Sequence, residues 1–186
     1  MADFATELCN RLGINEGRKN TVYNDTMGIP TIGIGFNLQR GDADSALQQV
    51  GSSLAEVTAG TALTDDQVNQ LFAYSIKDIV DQAETSLQPL HFDLLSDARR
   101  FVIVDLVFNM GLSGWMAFTN TRILLDSAIH EKHIGNADKA HQLFTQAAQH
   151  MTQSGWYSQV GDRAKRDVAM IRAGVWCSAT GDGSDI

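Results

Sequence analysis

The chain has 186 residues, 44% of them hydrophobic and 19% charged, with a formal net charge of −8 at pH 7. That length suits one domain or two small lobes sharing a core, and no stretch is low-complexity. The acidic balance argues against nucleic acid, which rewards Lys and Arg clustered on phosphates.

Taken in order, the N-terminus MADFATELCNRLG is polar and acidic. It has neither a charged n-region nor an apolar h-region, so it is not read as a signal peptide. No apolar run approaches the length of a membrane span. The expectation is accumulation in the cytoplasm, with a separate release route if the substrate lies outside the membrane. Phe4, Leu8 and Leu12 recur every fourth residue and predict a short helix over 3–12, ended by Gly13.

The segment from Ile14 to Leu38 carries the chemistry. It holds Glu16, then Asp25, then Thr31, with eight residues between the first two and five between the last two. Tyr23 leads into the polar run Asn24 to Gly28, and Pro30 opens an alternation of branched residues and glycines, Thr31-Ile32-Gly33-Ile34-Gly35-Phe36. This pattern predicts a hairpin with close backbone approaches at its glycines. A helix end bearing one carboxyl, followed by a hairpin bearing another, sets two acids across a small gap. Glycoside hydrolysis needs such a pair: one acid protonates the leaving oxygen and one carboxylate handles water or the sugar cation. Each residue also has a plainer explanation. Glu16 alone is a surface acid at a helix end, Asp25 is a common turn residue, and Thr31 is an ordinary strand residue.

Residues 39–62 are mixed, with a short helix expected around Ala43 to Val50. Thr64-Asp65-Asp66-Gln67 is a capping box, and its acids suit the helix dipole. The helix it opens is predicted to run to about Glu84 on an apolar stripe of Val68, Leu71, Phe72, Ile76, Ile79, Val80 and Ala83. Ser96-Asp97 caps a further helix whose stretch Phe101 to Phe108 is apolar nearly all round, hence central and buried; Asp105 within it has no evident reason. Gly111 and Gly114 are expected to break that helix. Another is predicted over Thr121 to about His130, then a loop over 131–136, a helix over Ala137 to about Met151, and a last one over Arg163 to Ala173 stopped by Gly174. The small, acidic tail from Ser178 to Ile186 is expected to be disordered. Trp115, Trp156 and Trp176 sit in apolar helical settings and read as core. Cys9 and Cys177 do not make a disulfide framework; two partly buried thiols are favoured over a single staple between the chain ends. The five histidines and two cysteines show no metal-ligand spacing, so no metal is expected.

The set Glu16, Asp25 and Thr31, with Glu16-Gly17, Tyr23 and the run Thr31 to Gly35 around it, resembles the catalytic signature of the phage T4-type lysozymes. Phe101 to Leu125 and Trp156 to Trp176 resemble that family's two later blocks. Three spaced blocks in the right order are more specific than one short motif. The resemblance implies an α+β, predominantly helical, two-lobed fold. Within a single domain over 1–186, a β lobe would span 14–63 and a connecting helix 64–84. A helical lobe would span 85–177, with helix 3–12 packed on it and a flexible tail over 178–186. It also implies a muramidase that hydrolyses the β-1,4 bond of bacterial peptidoglycan without metal or cofactor, as an endolysin does. Glu16 would be the general acid, with Asp25 and Thr31 positioning the water.

By the same resemblance Arg163 reaches to Glu16, and Asn109, Phe118 and Thr121 line the substrate cleft; Phe36 and Asn37 depart from the residues common in the family, and an Asn such as Asn37 at the cleft rim would hydrogen-bond a sugar amide. A glycine such as Gly33 or Gly35 would let sugar lie against the strand. Asn15 stands where the family often has a second acid, which removes a salt-bridge partner for Arg166. The implied setting is a monomer held in the host cytoplasm until lysis and let out by a separate holin to reach periplasmic peptidoglycan. Rival readings are a lytic transglycosylase, a non-catalytic peptidoglycan-binding module and a toxin effector on the same fold. The net charge sits awkwardly with a wall-degrading enzyme, because bacterial envelopes are themselves anionic.

Overall fold

The computed structural model describes residues 4–25, 27–89 and 91–186, the side chains of Asn15 and Glu16 excepted. The described chain is mainly helical with one three-stranded antiparallel sheet, the α+β class expected. It divides into two compact units, 1–77 and 78–186, with the boundary inside one long helix.

In the first unit, α1 (Phe4–Glu16) is longer than its apolar spacing predicts. Gly13 does not end it. A Cβ there would lie 2.9 Å from Ile34 Cδ1, so Gly13 is where the helix lets the sheet come close. Gly17, at φ +80°, ends the helix instead. Strands β1 (Lys19–Asn24), β2 (Pro30–Gly33) and β3 (Phe36–Asn37) form a meander in the order β1-β2-β3. Tyr23 pairs with Thr31, Thr31 with Asn37, and Ile32 with Phe36. The connection between β2 and β3 passes through Gly33 and Gly35, at φ +66° and +69°, which side chains other than glycine resist.

Helix α2 (Ala43–Gln49) follows as predicted, and α3 (Leu54–Thr58) is an addition to it. A five-residue helix offers too few turns for periodicity to reveal, but Ser53 caps it by accepting from Glu56 N–H. Asp42 ties this region together. It holds Arg40 through two hydrogen bonds and accepts from the Tyr74 hydroxyl at 3.1 Å. The Arg40 bond is the main reason its carboxyl sits low, at about 2. The capping box forms as read: Gln67 N–H donates to Thr64 Oγ1 at 3.2 Å, and Thr64 N–H to Gln67 Oε1 at 2.9 Å. It opens α4 (Asp65–Thr85), whose buried face includes Val68, Leu71, Phe72, Ile76 and Ala83.

The second unit is helical. After α5 (His91–Leu94), α6 (Asp97–Met116) buries every residue from Phe101 to Val107. It does not stop at Gly111 but kinks there (φ 74°, ψ 164°) and continues. Then come α7 (Thr119–His133), α8 (Ala137–Thr152), α9 (Gly155–Val160) and α10 (Asp162–Ala173). Helix α7 extends three residues into the expected loop over 131–136, because Glu131 to His133 keep bonding back one turn before Gly135 (φ +89°) turns the chain. Gly174 ends α10 at φ +75°, and Arg99 lies against it. Arg99, brought to about 10 by burial, donates to Ile171 O at 2.8 Å and Arg172 O at 3.0 Å, satisfying carbonyls that the helix end leaves open.

The tail expected to be disordered carries hydrogen bonds. Arg166 Nη1 donates to Gly181 O at 2.8 Å, and Ser178 N–H to Asp185 Oδ2 at 2.7 Å. Gly183 packs on Arg166 and Ala169, where a Cβ would fall 2.9 Å from the Arg166 backbone. Cys9 and Cys177 are both buried, with Cys9 Sγ at 3.6 Å from Asn69 O and Cys177 Sγ at 4.0 Å from Arg166 O. No single helix among the described residues is long and apolar enough to cross a membrane.

Candidate active site

Glu16 closes α1, at the end where the helix presents unpaired carbonyls, and Gly17 turns the chain into β1. Its side chain, and with it the expected contact from Arg163, lies outside the described residues. Asp25 sits in the turn between β1 and β2. Its Oδ1 accepts from Met27 N–H at 2.8 Å and Ile29 N–H at 2.9 Å, so one carboxylate oxygen holds the turn. The backbone reinforces it, with Asp25 N–H on Ile29 O and Gly28 N–H on Asp25 O, both at 3.0 Å. Among the described residues no donor meets Asp25 Oδ2.

Thr31 opens toward the same turn. Its hydroxyl donates to Ile29 O at 3.0 Å, and the residue is only 3% exposed. Asp25 and Thr31 therefore both bond to Ile29, one to its N–H and one to its carbonyl. Asn37 stands opposite Thr31 on the neighbouring strand, close enough for their side chains to be neighbours. Asn37 Oδ1 accepts from Gln39 N–H at 2.7 Å, which leaves its NH2 group as a donor.

The two glycines of the strand differ. A Cβ on Gly33 would meet Val68 Cγ1 at 3.4 Å, so Gly33 faces α4 and makes no room for a sugar. A Cβ on Gly35 would meet nothing within 4 Å, and Gly35 is exposed.

In the second unit an open pocket of about 270 Å³ is lined by Ala117, Phe118, Thr119, Asn120, Thr121, His150, Gln153 and Ser154. Two expected substrate residues, Phe118 and Thr121, belong to it. Phe118 also packs between Trp115 and Trp156, with ring centroids 6.0 and 6.2 Å away. Core packing and pocket lining are thus the same placement. Asn109 Oδ1 accepts from Trp156 Nε1 at 3.2 Å, so this residue braces the aromatic cluster. Trp115 is fully buried and Trp156 nearly so, as their apolar settings suggest. His150, Gln153 and Ser154 come from α8 and the turn after it, and nothing local in the sequence signals that they join Phe118.

Arg163, near the start of α10, is held by Asp105 of α6. Its Nε donates to Asp105 Oδ2 at 2.9 Å and its Nη2 to Oδ1 at 2.7 Å, a fork that fixes the guanidinium plane. This explains Asp105, which is wholly buried in an otherwise apolar helix. A second buried acid, Asp167, lies one helical turn beyond Arg163 and beside Asp105. Burial pushes the Asp167 carboxyl well above the ordinary carboxylate range. The charge and hydrogen bond of Asp105 push it further, against a smaller pull from Arg163 and Arg166. In the sequence Asp105 stands out against its apolar neighbours, whereas the charge of Asp167, in the run Arg163 to Asp167, looks like part of a solvated helix start.

The family model for phage lysozymes matches residues 14–158. The chain belongs to the phage lysozyme family. Membership points to a glycosidase acting on peptidoglycan. The matched span contains Glu16, Asp25, Thr31, Gly35, Asn37, Asn109, Phe118 and Thr121, while Arg163 lies beyond it. The chain is also 23% identical over 179 residues to a probable T4-type lysozyme of Dictyostelium discoideum, covering 92% of this chain and 96% of that protein. Among the described residues no three His, Cys, Asp or Glu side chains gather as a metal site.

Proposed function

We propose that the chain is an endolysin-type muramidase that hydrolyses the β-1,4 bond between N-acetylmuramic acid and N-acetylglucosamine. The observation that carries this reading is the turn shared by Asp25 and Thr31, which lies within the family match and follows Glu16 at the family's spacing. Glu16 is the general acid. As the acid it must hold a proton until it gives it to the glycosidic oxygen.

The water is handled on the opposite side. Thr31 spends its only proton on Ile29 O, so toward water its oxygen acts as an acceptor. Asp25 spends Oδ1 on two backbone N–H groups, so Oδ2 faces the water as the base. A water with one hydrogen on Thr31 Oγ1 and the other on Asp25 Oδ2 points a lone pair at the anomeric carbon. As the C–O bond breaks, the leaving oxygen takes the Glu16 proton and the water's proton passes to Asp25. Attack by water from the face away from the leaving group inverts the anomeric centre. No metal or cofactor takes part. The Asn37 and Asn109 amides and the Phe118 and Thr121 pocket serve as substrate contacts, and the open side of Gly35 as the strand edge that sugar passes. The protein acts as a monomer, gathers in the host cytoplasm and reaches periplasmic peptidoglycan through a separate holin.

Mass spectrometry of fragments released from purified Gram-negative peptidoglycan tests this. The wild type should release products with reducing-end muramic acid, and Glu16→Gln should release at least 1,000-fold less, about the 4 kcal/mol that general acid catalysis can supply. Anhydro-muramic products would replace hydrolysis with transglycosylation. No fragments from folded wild type would reduce the chain to a binding module.

A further inference from the structure

We propose that Asp105 and Asp167 act as one unit that positions Arg163, a single proton shared between the two buried carboxyls leaving one negative charge to match one guanidinium. The inference rests on the muramidase reading for the role of Arg163, and on the following geometry for the rest.

Both oxygens of Asp105 are taken up by Arg163 Nε and Nη2. Asp105 is 0% exposed and Asp167 1%. Asp167 Oδ2 is buried and meets no donor among the described residues. An ionised Asp167 would then stand beside ionised Asp105 with too few donors for either, an arrangement that low-dielectric surroundings penalise heavily. Protonated, Asp167 donates to Asp105 and the cluster closes: one proton, one carboxylate charge, one guanidinium. The apolar alternative, a hydrophobic residue in place of Asp167, would pack the same space but leave Asp105 without that donor.

The charges facing Asp167 are few. Asp105 comes from α6, and Arg163 and Arg166 from its own helix. On α6, Arg99 is engaged elsewhere, at the carbonyls of Ile171 and Arg172. Helix α9 carries no charged residue, and the charged or titratable residues of α8 (Asp138, Lys139, His141 and His150) are exposed. Among the described residues no cation beyond Arg163 and Arg166 is found beside Asp167, so loss of the shared proton loosens the clamp on Arg163. The consequence is an alkaline limit on activity that α6 and α10 set in addition to the one set by loss of the Glu16 proton.

The sign follows from linkage. A carboxyl held above its unfolded value binds its proton more tightly in the folded chain. Its contribution is complete below the unfolded value near 4 and is lost as pH rises toward the folded value, by up to tenfold in the folding constant per pH unit. An Asn at this place keeps a donor at every pH and removes that slope.

The test compares wild type, Asp167→Asn and Asp167→Ala by three readouts across pH 5–10: fragment release from peptidoglycan, Tm, and the NMR signal of the Arg163 Nε–H that donates to Asp105. Wild type should lose fragment release and the Nε–H signal together on the alkaline side. Asp167→Asn should match wild-type kcat at pH 6 within about twofold, keep both signals at least one pH unit higher, and show a flatter fall of Tm with pH. Asp167→Ala should lower kcat more than it raises KM at every pH. If wild type and Asp167→Asn lose activity and the Nε–H signal at the same pH, the proposal is wrong. Should the muramidase reading itself fail, fragments would be absent or would carry anhydro-muramic ends at every pH; the NMR signal and Tm would then still decide the shared proton.

Discussion

Asp25 shows how a residue can satisfy a structural and a chemical demand at once. Its Oδ1 binds two backbone N–H groups, as any turn aspartate does, and its Oδ2 remains outside that network. The two demands separate by substitution. Asp25→Asn keeps the accepting oxygen and should leave Tm within about 1 °C of wild type while removing the base, so hydrolysis falls at least 100-fold. Asp25→Ala removes the turn's acceptor as well and should cost a further 1–2 kcal/mol, roughly 2–8 °C in Tm for a chain of this size. Thermal melts beside a peptidoglycan assay check both; equal Tm for the two variants would mean that the carboxyl does not hold the turn. At the same scale Gly13, Gly33 and Gly35 look interchangeable in sequence. Only their neighbours distinguish a helix–sheet approach at Ile34, a strand against Val68 and an open strand edge.

At the scale of elements, the most legible part of the chain was the start of α4. The spacing of Thr64 and Gln67 is a local rule, and the two reciprocal hydrogen bonds follow from it. Gln67 also reaches outside its helix, donating from Nε2 to Val50 O at 2.9 Å, which couples the cap to the end of α2. Thr64→Ala should cost about 1 kcal/mol, or roughly 2–4 °C in Tm, with kcat at 25 °C unchanged, as circular dichroism melts and the fragment assay would show. Elements fixed by long-range packing were less legible. Gly13 reads as a stop signal, yet α1 passes through it because Ile34 needs the space. Residues 131–133 read as loop, yet they complete the last turn of α7. The small helices α3 and α9 are too short to show a period at all.

For the molecule as a whole, the charge of −8 remains the least expected feature for an enzyme of anionic cell walls. Repulsion between two anionic surfaces weakens as salt screens it, over a distance of about 10 Å at 0.1 M. Activity on whole peptidoglycan should therefore rise as ionic strength goes from about 0.01 to 0.1 M, or on adding a divalent cation, while cleavage of a short neutral oligosaccharide stays flat. A steady fall with salt from the lowest ionic strength would show that local positive charge, not the net charge, governs wall binding.

The sequence alone determined the class of fold, the long α4 and its cap, the hairpin with its glycines, the buried α6 and the order Glu16, Asp25, Thr31. These depend on spacing within one element or between adjacent ones, and periodicity and turn chemistry are local physics. The tertiary structure decided which polar groups meet. Asp105, Arg163 and Asp167 lie up to 62 residues apart in sequence, and a charged residue in a chain carries no mark of its partner until two helices pack. The same holds for His150 beside Phe118. Burial is what turns such meetings into chemistry, because away from water a carboxyl must find a cation, a donor or a proton.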